Sequence, residues 1–71
     1  MTEAEAMQYM TAKAAELAAL VRARHLTYVG AENHLAAYAE GLAPGPGFTQ
    51  SWKLYDHGIE QLCKFHKSAR T

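Results

Sequence analysis

Residues 41–47, GLAPGPG, place three glycines and two prolines in seven positions near the middle of a 71-residue chain. Proline removes a backbone donor and clashes with the preceding turn of a helix, so this run cannot propagate one. It divides the chain into two unequal arms. Whatever the chain folds into must reverse, or at least stop, at this point.

Both arms read as helices. The first opens on Thr2, with Glu5 at the capping-box spacing and with Glu3 and Glu5 suited to the positive end of a helix dipole. Alternate steps of three and four from Met7 give Met7, Met10, Ala14, Leu17, Val21, Arg24, Tyr28, Ala31, Leu35 and Tyr38, all apolar except Arg24. Because the stripe holds its phase across LTYVG, the spacing predicts one long helix over residues 2–40. Gly41 stands where a left-handed C-terminal cap is wanted, Pro44 follows, and Thr49 or Ser51 can cap the next helix. The second arm, residues 49–68, repeats the spacing through Phe48, Trp52, Tyr55, Ile59 and Leu62, with basic residues at its end. The fold class expected is all-α: one helical-hairpin domain with a helix over 2–40, a turn over 41–48 and a helix over 49–68.

The unequal lengths carry a consequence. At 1.5 Å per residue the arms would measure about 58 Å and about 30 Å. The short arm then covers only part of the long one and leaves Met7, Met10 and Leu17 in water. A homodimeric four-helix assembly would bury them, with Met7, Met10, Leu17, Val21 and Tyr28 at the dimer interface and Arg24 fixing its register. The alternative is a three-helix monomer bent near Gly30. With residue 40 facing residue 49, Trp52 falls near Ala37, Tyr55 near His34, Gly58 near Ala31 and Ile59 near Gly30. Gly30 would then mark a close helix crossing.

Composition narrows the class of protein. Seven basic and seven acidic residues give a formal net charge of zero, unlike the strong positive excess of a general nucleic-acid binder. Cys63 is the single cysteine, which excludes an internal disulfide and suits a reducing compartment. No apolar run approaches the roughly 20 residues of a membrane span. The expected setting is cytoplasmic, with no membrane partner.

Candidate functional residues fall into few groups. Arg22, Arg24, Lys64, Lys67 and Arg70, with His25 and His66, gather at one end of the hairpin and form a local basic patch. Its functional reading is a docking surface for an acidic partner or a phosphate; its plain reading is complementarity to helix dipoles. Leu54 and Phe65 lie off the main stripe of the second arm, as Tyr9 and Leu26 do on the first. They either widen the core or form an apolar patch for a partner. Cys63 and His66 stand three apart, but no second ligand pair accompanies them, so neither a metal site nor a catalytic dyad is expected. Asp56 and Glu60 have neighbours, Lys53 and Lys64, at ion-pair spacing. No catalytic residue, metal or cofactor is assigned.

The stretch EGLAPGPGFTQSWKLYDHG shares an order of glycine, proline, tryptophan and glycine with the ribosome modulation factors, but those are strongly basic. In size, composition and architecture the chain, with MQYMTAKAAELAALVRARHLTYV ahead of a glycine–proline turn, resembles the small helical antagonists encoded by bacteriophages. These include dimeric quorum-sensing anti-activators and anti-CRISPR proteins. The resemblance implies a non-catalytic, homodimeric inhibitor in the host cytoplasm. It would bind a larger host protein, such as a transcriptional regulator, and occlude it. The alternative function is a small DNA- or RNA-associated regulator that places Arg22, Arg24, Lys64, Lys67 and Arg70 on phosphates.

Overall fold

The computed structural model describes residues 2–42 and 51–68 as three helices, with no strand among the described residues: α1 (Glu3–Arg22), α2 (Tyr28–Leu42) and α3 (Ser51–Ser68). The glycine–proline reversal expected over 41–48 lies outside the described residues from position 43 onward. Gly41 does not cap α2: it lies inside the helix, without a left-handed φ.

The start of α1 forms as its sequence predicts. The Thr2 hydroxyl accepts from the Glu5 amide at 3.1 Å, and the Glu5 carboxylate accepts from the Thr2 amide at 3.0 Å. These contacts, the backbone hydrogen bond from Thr2 first, hold the Glu5 carboxyl below its ordinary value.

The single long helix does not form. α1 stops at Arg22, and the chain turns through Ala23–Thr27 before α2 begins. The stop is a complete Schellman motif. The Arg24 amide bonds to the Val21 carbonyl at 3.1 Å, and the His25 amide to the Leu20 carbonyl at 3.0 Å. The motif needs a left-handed residue after the cap, a place glycine usually takes. Here Arg24 takes it, with φ 62°. Three residues later the next helix is capped in turn, the Thr27 hydroxyl accepting from the Gly30 amide at 2.9 Å. Gly30 is therefore helical, and the turn precedes it. The apolar stripe kept its phase because Tyr28 follows Val21 by seven residues, the interval an unbroken helix also gives.

The break changes what must be covered. Three helices of 20, 15 and 18 residues run about 30, 22 and 27 Å, so none overhangs the others greatly. They form an up–down–up bundle. Tyr9 on α1 meets Tyr38 on α2, and Tyr28 at the start of α2 meets His66 near the end of α3. Met10 is fully buried and Leu17 is 4% exposed, while Met7, Val21 and Tyr28 pack against the same core. The seam expected to face a second copy is thus filled by the chain itself, and the overhang that called for a homodimer is gone.

The core is thin. Among the described residues, five of the ten buried hydrophobic ones are alanines: Ala6, Ala14, Ala18, Ala31 and Ala39. Small side chains let the helices approach closely, and at Gly58 other helices come too near to leave room for a Cβ. A Cβ at Gly58 would lie 2.9 Å from Met10 Cε and 3.2 Å from Leu35 Cδ2. The close crossing therefore belongs to Gly58, against Met10 and Leu35, and not to Gly30. A Cβ on Gly30 would instead meet Leu26 Cδ1 and Thr27 Oγ1, at 2.9 and 3.0 Å. On α3 the buried line is Leu54, Gly58 and Leu62, with Tyr55, Ile59 and Phe65 on its flanks. Trp52, expected on the apolar stripe, is 59% exposed.

Two substitutions test this packing in denaturant melts. Gly58→Leu should cost about 1–3 kcal/mol by overpacking against Met10 and Leu35. Arg24→Gly should stabilise the chain by about 0.5–1 kcal/mol, because glycine adopts the left-handed cap without steric penalty. In sedimentation the chain should run as a single copy of 7.8 kDa.

Candidate functional site

The bundle's topology brings together the ends of α1 and α3 and the start of α2. Of the expected partner-binding residues, Arg22, Arg24, Lys64 and Lys67 are all exposed at this end. Lys64 is held by Glu60 at 3.2 Å, a surface pair one turn apart. Arg70 lies outside the described residues. The two apolar members of the group are placed differently. Leu54 is fully buried in the core, and Phe65 is partly buried against it, so neither is a free anchor. Leu54 belongs to the line through Gly58, which Phe65 flanks and which counting apolar residues passes over because glycine has no side chain to count.

Other side chains supply exposed apolar surface. Leu20 in the last turn of α1 is 43% exposed, and Val29 in the first turn of α2 is 64% exposed. They flank the α1–α2 corner. The corner itself holds an open depression of about 370 Å³ lined by Val21, Arg24, His25, Leu26, Thr27 and Tyr28. Val21, Leu26 and Tyr28 form its apolar floor, since each packs on the core. Arg24 and His25 are exposed at its rim.

Behind the corner lies the one cysteine. Tyr28 contacts the His66 ring edge-on, with centroids 5.3 Å apart, and Cys63 lies close to it. Burial first, and then the nearby Cys63 and Glu32, push the Tyr28 phenol above its ordinary value of 10.0. His66 Nδ1 is buried and has no hydrogen-bond partner among the described residues. No group of three or more His, Cys, Asp or Glu among the described residues is arranged to hold a metal ion.

A second polar cluster occupies the face between α1 and α2. Lys13 Nζ lies 5.4 Å from the ring centroids of both Tyr9 and Tyr38 and 3.3 Å from Glu16. Its hydrogen bond to Glu16 first, and then the Glu16 charge, raise its pKa. His34 stacks on Tyr38 at 6.3 Å. The only advance sign of this cluster was Tyr9, off the main stripe. On the other side, the Thr11 hydroxyl donates to the Met7 carbonyl and lies 2.8 Å from His57 Nε2. The contact with His57 ties α1 to α3.

Comparison with protein-family models, with curated proteins and with solved structures returned no match. No helix among the described residues is long and apolar enough to cross a membrane.

The Tyr28 shift sets a stability change in alkali. The folded phenol holds its proton above the pH at which the unfolded chain releases it. That contribution is intact below about pH 10 and is lost as the pH rises toward the folded pKa. Tyr28→Phe should flatten the fall in denaturant midpoint between about pH 9 and pH 11.

Proposed function

We propose that this chain is a non-catalytic interaction module that binds a larger protein and blocks part of its surface. One observation carries the reading. Exposed cations and exposed large apolar side chains meet at one end of a bundle whose own core is already closed. Arg22, Arg24 and Lys67 supply the charge, and Leu20 and Val29 supply the apolar contact. Interfaces combine such features, with the apolar groups anchoring and the charges steering approach and orientation. The opposite end carries Glu3, Glu5 and Glu40 against the single exposed Lys53, so a chain of zero net charge presents a positive pole to a partner. The resemblance in size and composition to phage-encoded antagonists agrees with this reading and suggests a bacterial regulator as the class of target.

In this reading the module works as a single copy, because the apolar seam that suggested a dimer is occupied within the chain. The basic end could also meet nucleic acid, and salt separates the two. A phosphate complex weakens steeply and log-linearly with salt, whereas an interface with an apolar centre does not.

The test is capture from a nuclease-treated bacterial lysate, with the wild-type chain and an Arg22→Glu/Lys67→Glu variant immobilised side by side. The reading expects a discrete protein held by the wild type and largely lost from the variant. Retention that disappears on nuclease treatment, or that the charge reversals leave unchanged, would overturn it.

A further inference from the structure

We infer that the depression at the α1–α2 corner is a docking pocket for an acidic segment of a partner protein that carries a bulky apolar side chain. The inference rests on the interaction-module reading and names the site and chemistry of its contact. The lining determines the occupant. Val21, Leu26 and Tyr28 give an apolar floor, and Arg24 and His25 stand at the rim. No acidic residue lines the depression. Its volume of about 370 Å³ is at the low end of small-ligand sites, and it is open to solvent. It therefore suits one or two side chains of a passing segment better than an enclosed metabolite.

Charge at the corner comes from side chains. The negative end of α1 and the positive end of α2 lie together there and largely offset each other. What remains is the Arg24 guanidinium, whose fork matches a carboxylate, and the His25 imidazole, which can donate to another. Arg22 lies just before the corner. The nearest acid on α2, Glu32, is close enough to Tyr28 to raise its pKa but is not part of the lining. A nucleic-acid strand would use the cations and leave the apolar floor unused.

The pocket is also formed in advance. The Schellman bonds fix its α1 side, and the Thr27 cap fixes its α2 side. Little ordering is then lost when a segment binds. Glycine would satisfy the left-handed position at Arg24 with less strain, yet the chain keeps a guanidinium there. Leu20 and Val29, exposed on either side, extend the apolar contact beyond the pocket.

A titration of the ¹⁵N-labelled chain at low ionic strength tests the proposal. The probe is the peptide Glu-Asp-Phe-Leu-Asp-Glu. Controls are Lys-Arg-Phe-Leu-Arg-Lys, Glu-Asp-Gly-Gly-Asp-Glu and a short DNA duplex. Saturating shifts are expected at the amides of Arg24, His25, Leu26, Thr27 and Tyr28, with all controls weaker by about tenfold or more. Arg24→Gly should weaken the probe by a similar factor while melting no lower than wild type, which separates binding from folding. No saturating shift at this corner overturns the pocket, and so does an equal response to the glycine peptide or the duplex. In the lysate experiment, an Arg24→Gly chain that captures the partner as well as wild type would remove the pocket and leave the interaction module standing. Absence of any captured protein would remove that module.

Discussion

Two backbone hydrogen bonds, from Arg24 to Val21 and from His25 to Leu20, hold the chain in the turn from which its architecture follows. They end α1 after 20 residues and let α2 return along it. The returning helix covers Met10 and Leu17, which a straight helix would leave in water. The same turn brings Arg24 and His25 to the surface, above a floor of Val21, Leu26 and Tyr28. Shape, closed core and exposed polar corner share one local cause. Its left-handed arginine is strained by comparison with glycine, and the gain in buried apolar surface across the bundle offsets that strain.

Much of this was legible in the residues. The Thr2–Glu5 capping box and the helical class were readable directly. So were the inward faces of α1 and α2, through Met10, Ala14, Leu17, Ala31 and Leu35. The turn between them was not, because its sign is a positive φ at a residue that gives no hint of it. Arginine favours helices, and ARHLT contains neither glycine nor proline. The phase of the apolar stripe misled for a related reason, since seven residues separate Val21 from Tyr28 with or without a break. Gly30 drew attention as a candidate hinge, yet it is the third residue of a capped helix.

The second misreading has the opposite origin. On α3 the line of deepest burial passes through Gly58, which adds nothing to a count of apolar side chains. The count therefore centred on Trp52, Tyr55 and Ile59, one position to the side, and left open whether Leu54 widened the core or formed a partner patch. Contact with Met10 and Leu35 identifies Gly58 as the centre, a property of three helices together and not of one. Of the polar clusters, the basic end could be foreseen from charge and helix direction alone. The Lys13–Tyr9–Tyr38 group could not, since it depends on which face of α2 meets α1.

An odd number of antiparallel helices sends the described ends of the chain to opposite poles. Thr2 sits at the acidic pole, and Ser68 sits at the pole that carries Arg24 and Tyr28. A fluorophore or solid support joined ahead of Thr2 would therefore leave the cationic corner open to approaching molecules. The same attachment beyond Ser68 would crowd it, so the choice of handle would influence which contacts an assay can detect.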